Sequence, residues 1–226
     1  MDIINYLEQA YGYNKPIILK DVRIGGKSKT AVKESFYRAT KEGLLSRDGP
    51  GVYSLTKKDD LFSGAVTFEK VLESKFLYSL DTREELKQLF VAGYYSGLTF
   101  LNKIGISQQV PAILEVTTNR TKSKKRFYYA LGRIAIIRQS KTEINFQNYK
   151  ILQFLDMFHF ISMDEVIKYK DLLRKYIVDN YLTKNNFMKY ISLYGTQTIK
   201  KIVEGGIIDA FIEWSLFIQK HNRNSL

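Results

Sequence analysis

The sequence predicts an α+β protein in two parts, and three stretches carry that expectation. Residues 25–56, GGKSKTAVKESFYRATKEGLLSRDGPGVYSLT, place an amphipathic helix rich in Lys and Arg between a Gly-Gly turn and two short β-like runs. Residues 112–138 read as strands interrupted by a basic loop and by Gly132. From Asn148 onward the apolar spacing is helical to the end. The expected division is an N-terminal winged helix-turn-helix over residues 1–58, then a larger mixed α/β domain over residues 59–226 with a helical C-terminal part.

The length of 226 residues, with 45% apolar and 14% aromatic side chains, suffices for one small and one larger core. Thirty-five Lys and Arg against 23 Asp and Glu leave a formal charge of +12. Such an excess points to a polyanionic partner, nucleic acid first, with a solvated and salt-screened surface as the alternative. The absence of cysteine excludes disulfides, thiolate catalysis and Cys-based zinc sites. MDIINYLEQAYGYNK carries an early acid and no apolar core, unlike a signal peptide. No apolar run approaches the roughly 20 residues of a spanning helix. A soluble cytoplasmic protein without a membrane partner is expected.

In the first part, Ile3, Ile4, Leu7 and Ala10 or Tyr11 predict a helix ending before Gly12. Pro16 suits the first position of a second short helix over 17–22. Ser28 is the expected N-cap of the third, in which Val32, Phe36, Ala39 and Gly43 form a narrow packing face. The opposite face carries Thr30, Glu34, Tyr37, Arg38 and Lys41, flanked by Lys29 and Lys33. Residues 44–47 and 52–55 then pair as the wing around Asp48-Gly49-Pro50-Gly51. In a helix-turn-helix the last helix offers its N-terminal side chains to the major groove. The candidate DNA-binding residues are therefore Lys27, Ser28, Lys29, Thr30, Lys33, Tyr37, Arg38, Lys41 and Arg47. Residues 1–58 hold eleven Lys and Arg against six Asp and Glu, the sign that phosphate contact requires. The tip, 46–51, has one base and one acid, so little phosphate contact is expected there.

After a polar boundary at 57–60, helices are predicted over 66–77, over 82–94 behind the capping box Thr82-Arg-Glu-Glu85, and over 96–104 with Gly105 as stop. A strand over 112–118 and a hairpin of 126–131 with 133–138 follow. The loop between them carries Arg120, Lys122, Lys124, Lys125 and Arg126, either a second phosphate-contacting patch or an ordinary solvated connection. In the helical part, Ile151, Leu152, Leu155 and Phe158 share a face, Ser162-Met-Asp-Glu165 is a capping box, and Gly195 and Gly205-Gly206 are stops.

Two stretches together resemble the AbiEi-type antitoxin family of bacterial type IV toxin–antitoxin systems. Ala31-Val32, Lys41-Glu-Gly43-Leu44 and Gly51-Val52-Tyr53 are similar to the helix and wing of that family. Gly105-Ile-Ser-Gln-Gln-Val-Pro-Ala112, within residues 92–119, resembles its passage from a helix into the central strand of the second domain. The resemblance covers roughly a third of the chain. It implies a repressor that binds inverted repeats in its own double-stranded promoter through the winged helix, and a C-terminal domain that antagonises a nucleotidyltransferase-like toxin.

Catalysis is not expected, nor is a cofactor or a metal. His159 and His221 have no partner at metal-ligand spacing, no phosphate-binding loop follows a strand, and Glu115 lacks the following Lys of a nuclease motif. A ligand-sensing regulator and a protein-interaction module without DNA stand as alternatives.

Overall fold

In the computed structural model, which describes residues 2–56, 66–80 and 89–223, the helix boundaries of the N-terminal part have local chemical causes. Helix α1 spans Ile3–Tyr11 and stops at Gly12, whose φ is 72°. Helix α2 spans Lys29–Lys41, and the Ser28 hydroxyl accepts from the Ala31 amide at 3.2 Å, as an N-cap does. Arg38 and Lys41 occupy its last turn, where cations complement the helix dipole.

The second helix predicted over 17–22 is instead a strand, β1 (Ile17–Ile18), followed by a single 3-10 turn, Leu19–Asp21. Two adjacent β-branched side chains favour extended backbone. Here they are buried as they pair with Val52 and Tyr53. Proline is tolerated at the start of an edge strand, so Pro16 fits this arrangement as well as it would a helix. Strands β2 (Leu45–Gly49) and β3 (Val52–Leu55) form the wing hairpin, and the three-stranded sheet runs β1-β3-β2, antiparallel throughout. Gly51 adopts φ 71° in the turn.

Phe36 is the centre of the core beneath this sheet. It is fully buried, meets Tyr53 edge-on with ring centroids 5.1 Å apart, and shares its cluster with Leu7, Ile17, Val32, Leu45 and Leu55.

Contacts divide the chain into two units, Met1–Phe90 with Arg126–Ala135 and Val91–Lys125 with Ile136–Leu226. The first also contains α3 (Phe68–Leu72), capped by the Thr67 hydroxyl and prolonged by a π-turn, Glu73–Leu77. A two-stranded sheet of β4 (Tyr78–Leu80) and β5 (Leu89–Val91) follows. The helix predicted over 82–94, where it lies among described residues, is strand: β5 is followed by β6 (Gly93–Tyr95). Its proposed capping box lies outside the described residues. Aromatic and β-branched residues around Gly93 favour strand, and β6 pairs antiparallel with residues 116–118, Tyr94 opposite Thr117.

Helix α4 (Gly97–Lys103) leads through Gly105 into β7 (Leu114–Thr118), an interior strand of the sheet β6-β7-β9-β8. The expected hairpin is present as β8 (Lys125–Ala130) and β9 (Arg133–Gln139). Beyond it lie α5 (Tyr149–Met157), α6 (Met163–Lys168), α7 (Lys170–Asp179), α8 (Lys184–Tyr190), α9 (Thr196–Glu204) and α10 (Ile208–Arg223). The capping box at Ser162 and Glu165 forms with both of its reciprocal bonds. Phe154 anchors the helical core, stacked on Tyr176 at 5.5 Å and meeting Phe158 and Phe211 edge-on. Among the described residues no helix is long and apolar enough to cross a membrane.

Because Phe36 fills the space between α2 and the sheet, Phe36→Ala is expected to destabilise the protein by about 3–5 kcal/mol. The measurement is the urea unfolding midpoint of the full chain.

Candidate nucleic-acid interface

With Val32, Phe36 and Ala39 buried, the geometry of a 3.6-residue repeat turns Thr30, Tyr37, Arg38 and Lys41 outward and leaves Lys29 and Lys33 on the flank of the buried stripe, and all six are exposed. Lys27 and Ser28 are exposed just before the helix, and Arg47 is exposed on β2. The Ser28 oxygen is engaged as the cap. Tyr37, 60% exposed, is an aromatic ring in water, with Lys41 Nζ 4.8 Å from its centroid. Glu34 pairs with Arg38 one turn on, at 3.8 Å and with both side chains exposed. Such a pair contributes only tenths of a kcal/mol. It still lowers the net charge of that part of the face and leaves Lys29 and Lys33 as the stronger positive centre.

The wing differs from its sequence in one respect that matters for charge. Asp48 does not offset Arg47 at the surface, because its side chain is buried at 5% exposure. A register shift between Arg47 and Gly49 turns it inward. Burial raises its carboxyl above the usual carboxylate range, against the lowering effect of Ser54 and Ser46. Tyr128 lies in the same unit, and its hydroxyl is pushed up to about 12 by burial and then by the charge of Asp48. Gly49 is required here by close approach: a Cβ would lie 2.7 Å from the Tyr128 hydroxyl and 2.8 Å from the Ala130 Cβ. The outward charge of the wing is therefore that of Arg47, more positive than its composition implies.

The basic loop belongs to a different setting. Lys122, Lys124, Lys125 and Arg126 are exposed and Arg120 is half-buried. Arg126 sits 5.5 Å from the Phe76 ring. Asn119, at the start of the loop, ties it down by accepting from the Ile144 amide at 2.9 Å and donating to the Ile144 carbonyl at 2.7 Å.

The second unit also assembles charged groups that sequence reasoning did not bring together. Arg138 donates twice to one oxygen of the buried Glu115, at 2.8 and 3.1 Å. The Glu115 carboxylate lies against Gly97, φ 56°, where any Cβ would fall within 2.6 Å of it. Asp156 is buried nearby in charge terms: burial raises its carboxyl, and Lys141 and Arg138 pull it back. Lys141 Nζ lies 3.0 Å from His159 Nε2 and 3.7 Å from the centre of the Tyr194 ring. Burial lowers both Lys141 and His159. Nothing in the spacing of residues 115, 138, 141, 156 and 159 signals this meeting. It depends on β7, β9 and α5 converging.

No family model and no curated protein matches the chain.

The raised Asp48 carboxyl means that its charge opposes folding at neutral pH. That cost disappears as pH falls through the raised folded value and is gone below its ordinary 3.8. Asp48→Asn is accordingly expected to stabilise the protein at pH 7 by about 1 kcal/mol. The gain should shrink toward zero near pH 4, as read by urea unfolding at the two pH values.

Proposed function

We propose that this chain is a sequence-specific DNA-binding repressor that also serves as the antitoxin of a type IV toxin–antitoxin system in the cytoplasm. The observation that carries the DNA half is the exposed surface of α2, with Thr30 and Tyr37 directed away from the core and Lys29 and Lys33 exposed on its flank, beside the wing hairpin of a three-stranded sheet. Lys29 and Lys33 supply phosphate contact, and the Thr30 hydroxyl and Tyr37 reach base edges in the major groove. Arg38, Lys41 and Arg47 line the backbone on either side. The wing supports this reading more strongly than its composition does, since its acid is turned inward.

The antitoxin half rests on the resemblance of residues 105–112 to the AbiEi-type passage from helix to central strand. The passage from α4 into the interior strand β7 is compatible with it. In this reading the second unit antagonises a nucleotidyltransferase-like toxin.

Reversing one cation at the centre of the face removes a phosphate contact and adds repulsion. Lys33→Glu is expected to weaken binding to the promoter duplex about tenfold at moderate salt and to flatten its salt dependence. An unchanged gel-shift midpoint would remove α2 from the interface. Co-expression with the adjacent gene tests the other half. Full-length protein is expected to restore growth, and so is the Lys33→Glu variant, because the toxin task does not use α2. Continued growth arrest with the full-length protein present would end the antitoxin reading.

A further inference from the structure

Beside the N-terminal half of α2 lies a cavity of ≈ 330 Å³, formed within the first unit by β1, the 3-10 turn, α2, the wing turn and the π-turn. Pockets that hold small molecules begin at about 300 Å³. Its charged lining is Lys20, Arg23, Lys29, Lys33 and Lys75, and none of the described residues lining it is acidic. The like charges of Lys20, Arg23, Lys29 and Lys33 around one small volume repel each other, whereas protein surfaces ordinarily intersperse the two signs. Convergence of this kind is relieved by an anion held between the cations. The positive end of the α2 dipole adds to the same field.

Two of these cations are oriented by the fold. Arg23 donates through Nη1 to the Lys20 carbonyl at 2.5 Å and the Val22 carbonyl at 2.9 Å, while its own carbonyl accepts from the Tyr6 hydroxyl at 2.7 Å. A guanidinium has five N–H donors, so those bonds do not exhaust it. Lys75 is held across the cavity by donating to the Pro50 carbonyl. The remaining walls are Ile18, Leu19, Val22 and Val32. A hydrated phosphodiester gains nothing from an apolar wall; an organic body does.

We infer that this cavity binds a small organic anion, a phosphate or carboxylate carried on a compact apolar body, and that its occupant competes with DNA for Lys29 and Lys33. The second clause rests on the proposed DNA-binding role, and the first does not. The occupant is an effector: it draws two groove-facing lysines toward itself and neutralises them, so the repressor releases its operator when the ligand accumulates.

The test uses the full-length protein and three probes: phenyl phosphate, inorganic phosphate for the charge alone, and phenol for the apolar body alone. Phenyl phosphate is expected to bind one to one by calorimetry and to shift the amide resonances of residues 18–23 and 29–33. Inorganic phosphate should bind about tenfold more weakly, since it leaves the apolar wall uncovered. Lys20→Glu changes an exposed side chain outside the proposed DNA-reading set, and is expected to weaken phenyl phosphate at least about tenfold with unchanged thermal unfolding. Equal binding of phosphate and phenyl phosphate, indifference to Lys20→Glu, or resonance shifts confined to other residues would overturn the site. With phenyl phosphate saturating, the Kd for the promoter duplex should rise about fivefold. An unchanged Kd overturns the competition. A duplex that does not bind at all counts against the DNA reading, and the ligand titration still decides the cavity by itself.

Discussion

A stripe of three apolar side chains, Val32, Phe36 and Ala39, holds α2 in its unit, and every exposed group on that helix takes its direction from them. The stripe is narrow, so Phe36 carries most of the contact, locked edge-on against Tyr53 of the wing. That single ring couples the helix to the hairpin: the angle at which Lys29 and Lys33 project is set by the strand on which Tyr53 stands. Burial of one aromatic side chain thereby determines the geometry of a charged surface that it never touches.

Local chemistry was readable in the sequence wherever the cause was local. The Ser28 cap, the Ser162 and Glu165 capping box, the Gly12 stop and the hairpin around Gly132 each depend on residues a few positions apart, and each is present. Ile17–Ile18 and residues 93–95 are different. Their conformation is decided by partners farther along the chain, Val52 and Tyr53 in one case and residues 116–118 in the other. A helical spacing of apolar residues cannot compete with a strand waiting to be paired. The outward face of α2 was legible from its period alone. The inward turn of Asp48 was not, because a one-residue register shift reverses the side on which a strand residue falls.

The second unit buries some of its charge. Glu115 is ringed by Arg138, the start of α4 and the Cα of Gly97, so its carboxylate forms part of the joint between a strand and a helix. The Lys201 ammonium plays a similar part at the end of α5, donating to the carbonyls of Phe158 and Ile161. These ions satisfy backbone ends and each other, which accounts for acids and bases that contribute nothing to the basic surface.

The approach of Tyr128 and Ala130 to Gly49 has a consequence in time as well as space. The wing strand is complete at residue 49, but the residues that back it leave the ribosome about 80 positions later, a delay of several seconds at roughly 5–20 residues per second. Through that interval α2 and its three-stranded sheet can exist with one side of the wing uncovered. A lesion at Tyr128, remote in sequence from any DNA-facing residue, would thus register as a defect in how the N-terminal part matures, and the gene's reading order becomes part of how its first unit is built.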